Sequence, residues 1–317
     1  MKILFFTGKG GVGKSTMSAA AAWQLSQKGR VLIISLDPAH NLGDVFNLTL
    51  NDSKKRFSRT LDLKEINLQK LAKEYLQREI NVLTDTYKYL QTLNLDNYFS
   101  VLKYSPGIEE YALLTSIEET IHNETGYDYI VFDTPPTGLT LRFLALPRVT
   151  ITWIDRLIQI RQKILEKRYT IQKIRGGTEE EKKAREITLE YDERDDDVLN
   201  RLQKLRANYE SLTTILEGRD CAIALVFNPD ILSLRESERL IEGLKDLHLP
   251  LRLLINNKVT TDTMSMANDV ERRLQAFSNS TSIMRVTLSP HVRNGTDGAH
   301  LYNIDEDIAS ELLKQLQ

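Results

Sequence analysis

A glycine-rich loop near the start of the chain carries the strongest chemical signal. Residues 8–16 read GKGGVGKST and fit G-x-x-x-x-G-K-[ST] between an apolar run and a helix-like stretch. Glycines let such a backbone curl so that its N–H groups face phosphate oxygens, and the helix N-terminus adds the positive end of its dipole. We therefore predict phosphate binding, with Lys14 neutralising the β- and γ-phosphates and Ser15 coordinating Mg²⁺. The alternative is a tight strand-to-helix turn without nucleotide. The candidate phosphate-binding residues are Gly8, Lys9, Gly10, Gly11, Val12, Gly13, Lys14, Ser15 and Thr16.

Two aspartates follow later apolar runs. Asp37 comes directly after residues 31–36, and Asp133 after residues 129–132. If these runs are parallel strands, both carboxylates lie at the carboxyl edge of the sheet, where open α/β sheets bind ligands. A carboxylate there can orient or deprotonate water, or hold Mg²⁺ directly or through water. Each aspartate could instead form a turn or cap a helix.

These residues need a scaffold, and short apolar runs alternate with helix-like stretches along the chain. Near-continuous apolar runs separated by helices are typical of buried parallel strands. The pattern predicts the α/β class, with a doubly wound, mostly parallel sheet. Strands are predicted at residues 3–6, 31–36, 129–132, 222–227, 251–255 and 284–288, and a first helix at 15–28.

Two regions depart from this rhythm. Residues 45–125 and 148–218 look helical and show no clear strand. We expect both to be insertions that form one helical subdomain. The predicted division is a single domain over 1–317, with its nucleotide core at 1–44, 126–147 and 219–317 and its helical subdomain at 45–125 and 148–218. An apolar stripe at helical spacing predicts a packing face, with a partner helix as the alternative. The stripe comprises Val198, Leu202, Leu205, Tyr209, Leu212 and Leu216. The charge-dense segment 179–197 is interpreted as a solvated face or mobile loop, or as a lid or client contact.

Composition limits the function further. The 317 residues carry 42 Lys+Arg and 44 Asp+Glu, a net charge of −2, so a generally basic nucleic-acid binder is excluded. No apolar run approaches the roughly 20 residues of a bilayer span. The N-terminal run lacks the longer apolar region and cleavage site of a signal peptide, so we expect a cytoplasmic protein. Cys221 is the one cysteine, which excludes a disulfide framework and a multi-thiolate zinc site, and we expect it to be buried.

Lys9 and four further segments carry a family resemblance. With Lys9, the loop resembles the deviant Walker A form KGGxGK[ST] of P-loop ATPases. The stretches DPAHNL (37–42) and DTPPTGLTLRFL (133–144) closely resemble switch I and switch II of the ArsA family. SPGIEEYALL (105–114) and ILSLRESERLI (231–241) extend the resemblance over nearly the whole chain. That family includes the arsenite-pump ATPase and the ATPase that targets tail-anchored membrane proteins.

The resemblance implies roles residue by residue. Asp37 matches the aspartate that activates the attacking water, and Lys9 the lysine that reaches the partner's nucleotide in an ATP-sandwich homodimer. Asn256 matches the asparagine that reads adenine, Asp230 stands where the family has a nucleotide-contacting glutamate, and Pro290 lies where the adenine loop runs. The implied catalytic residues are Asp37, Lys14 and Lys9. The implied cofactors are ATP or ADP and Mg²⁺, with Ser15, Asp37 and Asp133 as metal ligands, partly through water.

The sequence departs from the family pattern at the residues that would bind zinc, arsenite or a client protein. Residues 263–267 read TMSMA, so the Cys-x-x-Cys zinc clamp of the targeting branch is missing and no zinc is expected. A single cysteine argues against thiolate-bound arsenite. No methionine falls within 45–218 to line a client groove. A groove could still use a stripe that is more often core, namely Leu76, Ile80, Leu83, Tyr87, Leu90 and Leu93.

The expected function is an ATP-hydrolysing dimeric switch that couples nucleotide state to movement of the helical subdomain. It would serve to target hydrophobic membrane-protein segments, with a client helix or a membrane protein as partner and without spanning the membrane itself. One alternative is the catalytic subunit that energises an anion or arsenite efflux pump. A second is a ParA- or MinD-like nucleotide-gated interaction protein, which would need the basic surface that the balanced charge does not suggest.

Overall fold

The computed structural model describes residues 1–39, 41–86, 105–175, 196–278, 281–288 and 301–316. Within these residues the chain forms strands and helices in alternation. The strands are β1 Lys2–Gly8, β2 Val31–Ser35, β3 Lys55–Arg56, β4 Leu61–Glu65, β5 Tyr129–Asp133, β6 Cys221–Phe227, β7 Leu251–Val259 and β8 Ser282–Thr287. The helices are α1 Lys14–Leu25, α2 Asn41–Phe46, α3 Leu68–Thr86, α4 Ile108–Asn123, α5 Thr137–Arg175, α6 Asp197–Glu217, α7 Ile231–Asp246, α8 Met264–Phe277 and α9 Ile308–Gln315.

The eight strands of the described residues join one sheet in the order β3-β4-β2-β5-β1-β6-β7-β8. Every pairing is parallel except that of β3 with β4. The sheet therefore confirms the predicted α/β fold with a doubly wound, mostly parallel arrangement. In the central register, Phe6 of β1 pairs with Asp133 of β5, and Gly8 pairs with Val226 of β6. This register brings the carboxyl ends of β1, β5 and β6 to one edge.

Apolar side chains cover both faces of the sheet, which explains why the strands read as near-continuous apolar runs. On one face, Leu4 and Phe6 join a buried cluster that also includes the alanines of α1 and Ile308 and Leu312 of α9. On the other face, the rings of Phe5 and Phe132 stack with centroids 4.9 Å apart. The small alanines let α1 pack closely on the sheet and thereby fix the position of the loop before it.

The prediction that residues 45–125 contain no strand was wrong, because β3 and β4 lie there. β4 reads LDLKE, so a polar residue separates its two leucines. The buried Asp62 accepts hydrogen bonds from Tyr127 Oη at 2.6 Å and from Arg56 Nε at 3.0 Å. These partners satisfy the buried carboxylate, so the strand can hold a polar residue between its two leucines.

The chain divides into two compact units, Met1–Leu144 with Leu216–Gln317, and Ala145–Ile215. The first contains the sheet, and it also contains the described part of 45–125. The predicted grouping of 45–125 with 148–218 as one helical subdomain stays a prediction.

The described part of the second unit is formed mainly by the larger parts of α5 and α6. Arg161 on α5 donates to both carboxylate oxygens of Asp196, which also caps α6 by accepting from the backbone N–H of Leu199 at 2.7 Å. Arg206 on α6 donates to Asp155 on α5 at 2.6 Å. The earlier residue on α5, Asp155, pairs with Arg206, and the later one, Arg161, pairs with Asp196, which comes before Arg206 in the chain. The two helices are therefore antiparallel.

The predicted packing stripe on α6 is only partly a packing face. Leu212 and Leu216 are buried, but Val198 and Leu205 are 45% and 44% exposed. Within the predicted α3 groove, Ile80 is buried, whereas Tyr87, Leu90 and Leu93 lie outside the described residues. Residues 179–195 of the charged segment also lie outside them. Across the described part of the chain, no helix combines the length and the apolar character that a membrane span requires.

Candidate active site

The predicted phosphate loop joins the central strand β1 to α1. Two of its glycines are required by space as well as by conformation. Gly8 has φ +150°, and a Cβ there would lie 2.1 Å from the carbonyl oxygen of Val226. Gly13 has φ +96°, and its Cβ would lie 2.4 Å from Nδ2 of Asn257. A Cβ at Gly10 or Gly11 would meet no atom of the described residues within 4 Å, so the loop is closely packed at its two ends and open at its tip.

Lys14 begins α1 and is only 5% exposed. Its Nζ lies 3.4 Å from the carbonyl oxygen of Lys9 and 3.7 Å from Oδ2 of Asp37. A buried ammonium group requires such acceptors, because burial without them is costly. The structure thus brings together two residues that the sequence predicted for one site. Lys9 itself is half-buried, and its predicted reach towards a partner's nucleotide stays a prediction.

Asp133 ends β5 and is completely buried beside this pair. The Ser35 hydroxyl donates to its Oδ2 at 3.2 Å, while Oδ1 has no hydrogen-bond partner among the described residues. Burial raises the pKa of the Asp133 carboxyl to about 7, and the carboxylate of Asp37 adds to the rise, whereas Ser15 and Lys14 oppose it. Lys14 therefore supplies only part of the positive charge that this buried carboxylate needs.

A divalent cation would supply that charge. The Ser15 hydroxyl, which is nearly buried, and the carboxylates of Asp37 and Asp133 are the oxygen ligands that Mg²⁺ prefers. The chemistry of this donor set, together with the unpartnered Oδ1 of Asp133, fits the predicted metal site.

Local hydrogen bonds fasten the segments that carry the two aspartates. Oδ1 of Asp37 accepts from the backbone N–H of Ala39 at 3.0 Å, and the N–H of Gly43 donates to Glu65 on β4 at 2.8 Å. His40 lies outside the described residues. After β5, the Thr134 hydroxyl donates to the carbonyl of Phe6 at 2.9 Å. Both segments are therefore tied to neighbouring strands of the sheet.

The helix that follows Asp133 also has a tie to α4. Arg142 Nη1 donates to Oε1 of Glu110 at 3.1 Å, and the Glu110 side chain is 11% exposed whereas that of Arg142 is 70% exposed. Glu110 belongs to the PGIEE stretch that carried part of the family resemblance. This ion pair connects the PGIEE helix to the segment resembling switch II.

The residues predicted for the nucleotide base have partners of their own. Asn256 is fully buried and donates through Nδ2 to Oε1 of Glu271 at 2.7 Å, while its Oδ1 has no partner in the described structure. Asp230 caps α7 by accepting from the backbone N–H of Ser233 at 2.7 Å. Its carboxylate thus has a structural role, and its nucleotide contact stays a prediction. Pro290 lies outside the described residues.

Sequence reasoning missed two residues that hold the loop from outside. The Asn257 amide donates to the carbonyl of Val12, and Lys258 Nζ donates to the carbonyl of Gly11, both at 2.8 Å. Lys258 adopts φ +60°, an unusual conformation for a residue with a side chain. The available signal was the run of three polar residues, Asn256 to Lys258, at the carboxyl end of an apolar strand.

An eight-stranded, mostly parallel sheet with a G-x-x-x-x-G-K-S loop after its central strand defines a P-loop NTPase. The profile of the ArsA_ATPase family, described as anion-transporting ATPase, matches residues 1–284. The chain belongs to this family and is an ATPase of the ArsA type.

Curated relatives agree with that assignment. A protein of Aquifex aeolicus (strain VF5), provisionally named arsenical pump-driving ATPase 2, is 34% identical over 261 residues, 82% of this chain and 80% of the relative. ATPase GET3A of Arabidopsis thaliana is 32% identical over 280 residues, 86% of this chain and 70% of the relative. ATPase ASNA1 homolog 1 of Paramecium tetraurelia is 27% identical over 267 residues, which cover 82% of this chain and 75% of the relative.

Proposed function

We propose that this ATPase is a Mg²⁺-dependent homodimeric switch in the cytoplasm that binds hydrophobic segments of membrane proteins and releases them as nucleotide state changes. The observation that carries the client part of the proposal is an exposed apolar stripe on α5. The hydrolysis part is supported by the buried cluster around the phosphate loop.

In this proposal, the loop backbone and Lys14 bind the β- and γ-phosphates and offset their charge. Ser15 and Asp133 hold Mg²⁺, which supplies further positive charge to the phosphates. Asp37 orients the attacking water and accepts its proton. Its carboxylate lies 3.7 Å from the phosphate-binding lysine and therefore close to where the γ-phosphate binds. Asn256 reads the base.

The exposed apolar stripe consists of Val149, Trp153, Leu157, Ile160 and Ile164, spaced by 4, 4, 3 and 4 residues. These side chains are between 39% and 66% exposed, with Trp153 the most exposed. The neighbouring face of the same helix already packs Ile154 and Leu165 in the interior, so the stripe is an additional apolar surface. Fully burying a large apolar side chain contributes roughly 1.5–3 kcal/mol, so covering one that is about half exposed contributes roughly half as much. Contiguous surfaces of this kind mark binding sites. An apolar helix is a natural occupant.

Exposed apolar side chains at the nucleotide edge support the homodimer. Ile231 and Leu232 follow the carboxyl end of β6 and are 59% and 69% exposed. Met264 and Met266 follow β7 and are 37% and 40% exposed. Since β6 and β7 run parallel to β1, these side chains share the loop's edge of the sheet. A second copy docked there would cover them and bring its own Lys9 towards this site.

An anion-pump subunit is the second candidate, favoured by the relative named for driving an arsenical pump. Cys221 argues against arsenite as the regulating ligand. The thiol is buried, and burial raises its pKa to about 12, so it offers no accessible thiolate. Arsenite-stimulated turnover in both the wild type and Cys221→Ala would favour a pump role with a non-thiol ligand.

The test measures mass by light scattering with ADP and with a slowly hydrolysed ATP analogue. The same samples are offered a synthetic apolar helix fused to a soluble carrier. A dimer that captures the helix in one nucleotide state supports the proposal. A dimer that forms with the ATP analogue but does not capture the helix would support the nucleotide-dependent switch and overturn the proposed client. A monomer with both nucleotides would overturn the proposed homodimer.

A further inference from the structure

A carboxylate outside the phosphate site fixes the side chain of Asn256. Glu271 lies on α8, and its Oε1 accepts a hydrogen bond from Nδ2 of Asn256 at 2.7 Å. An ionised carboxylate can only accept hydrogen bonds, so the amide nitrogen must face it and the amide oxygen must face away. The orientation of the Asn256 amide therefore follows from the chemistry of its neighbour.

Arg285 holds Glu271 in turn. Its Nε donates to Oε1 at 2.7 Å, and its Nη2 donates to Oε2 at 2.6 Å. Two parallel charge-assisted bonds fix a carboxylate more firmly than one. Arg285 on β8 is the register partner of Asn256 on β7, so the two side chains share one face of the sheet, with Glu271 between them. The Glu271 side chain is only 13% exposed.

This arrangement leaves Oδ1 of Asn256 as a buried acceptor without a hydrogen-bond partner among the described residues. Buried acceptors normally have a partner, so the oxygen points to a donor supplied by a ligand. Adenine has an amino donor at C6, whereas guanine has a carbonyl acceptor there, as does hypoxanthine. An acceptor oriented in this way favours adenine.

We infer that Glu271 is a positioning residue for base selection. By holding Nδ2, it makes Asn256 present an acceptor, and it thereby favours adenine nucleotides over inosine and guanosine nucleotides. The inference rests on the proposed role of Asn256 in reading the base. Without Glu271, the amide can rotate and offer Nδ2 to a C6 carbonyl.

The test titrates ADP, IDP and GDP into the wild type, Glu271→Ala, Asn256→Ala and Asp269→Ala. The wild type should bind ADP about tenfold or more tightly than IDP, the effect of one well-oriented hydrogen bond. Glu271→Ala should reduce that ratio to about threefold or less, while kcat for ATP changes less than threefold, because no phosphate contact is lost. Asp269→Ala removes an exposed carboxylate from the same helix and should keep the wild-type ratio.

The outcomes separate this inference from the proposed function. If Asn256→Ala loses the preference and Glu271→Ala keeps it, the positioning role is overturned and base reading by Asn256 stands. If Asn256→Ala keeps the preference, or the wild type has none, base reading fails and the inference fails with it. Arg285→Met provides a second variant that loosens Glu271 without removing it, and a smaller loss of preference is expected. Thermal melts of each variant check that it folds.

Discussion

The amide of Asn257 donates to the carbonyl of Val12 at 2.8 Å, although 245 residues separate the two in sequence. The bond joins the carboxyl end of β7 to the phosphate loop, and Lys258 repeats the connection at Gly11. Because these carbonyls are held from outside, the loop's conformation depends on a strand two positions away in the sheet. Nucleotide affinity should therefore respond to residues that touch no phosphate.

Asn257→Ala tests this dependence. The carbonyl of Val12 loses a buried donor, which costs about 1 kcal/mol and corresponds to roughly a fivefold weaker affinity for ADP. Fluorescence titration with a labelled ADP measures it. Asn81→Ala, the same change at an exposed helical position, should leave the affinity unaltered. Equal affinity in Asn257→Ala and the wild type would remove the loop-support role.

Asp37→Asn should separate catalysis from binding. The amide keeps the shape of the carboxylate but cannot accept a proton from water, so kcat should fall about 100-fold or more. Affinity for ADP should change only a few fold, since the phosphate loop remains intact. Phosphate release under saturating ATP gives kcat, and Asp246→Asn at an exposed position serves as the control. Unchanged turnover in Asp37→Asn would rule out its catalytic role.

The pKa of Asp133 predicts how stability depends on pH. Burial raises it from about 3.8 to about 7, so between these values the folded protein keeps a proton that the unfolded chain releases. The contribution of the Asp133 carboxyl to the free energy of unfolding should therefore fall as pH rises through that window, by up to about 1.4 kcal/mol per pH unit. It should level off above pH 7. Urea unfolding at pH 5, 6, 7 and 8 without nucleotide or Mg²⁺ measures it.

Asp133→Asn is the matched variant for this measurement because it cannot titrate. The wild type should lose stability relative to Asp133→Asn from pH 5 to pH 7. A constant difference between the two proteins across the range would mean that Asp133 is ionised in the folded state throughout.

Trp153→Ser tests the apolar stripe. The side chain is 66% exposed, so its removal should change the free energy of unfolding by less than about 0.5 kcal/mol. Capture of the apolar helix should weaken about tenfold or more, since aromatic side chains dominate such contacts. Gln159→Ser, exposed on another side of the same helix, should capture normally. Equal capture by all three proteins would move the client site elsewhere.

Much of the fold follows from the sequence because its central strands are buried on both faces. β6 reads CAIALVF and is buried along its whole length, and such a continuous apolar run is typical of a buried parallel strand. β4 escaped prediction because Asp62 interrupts it, and its buried carboxylate finds Tyr127 only in the folded chain. Asp37 and Asp133 were predictable because each directly follows an apolar run.

The supports of the site were less predictable, since they depend on contacts between distant segments. Asn257 and Glu271 carry no local motif, and their partners are known only once β7 is aligned beside β6 and β8. Asp230, by contrast, was assigned a role from its sequence position, and the structure shows a second role for the same carboxylate. Its position matched a nucleotide-contacting residue, but it also begins a helix, and the carboxylate caps the backbone there.

The reactivity of Cys221 can be used to measure how often strand β6 separates from its neighbours. It is the sole cysteine, lies opposite Ile3 of the loop-bearing strand β1, and is buried at the amino end of β6. A thiol reagent should modify only molecules in which the amino end of β6 has separated from its neighbours, so the labelling rate measures opening of the sheet at the end opposite the nucleotide site. A bound nucleotide should slow labelling in proportion to its occupancy. Because Cys221 is protected by burial, a thiol reagent should modify only a cysteine introduced at an exposed position. Dyes can therefore be attached there without removing Cys221.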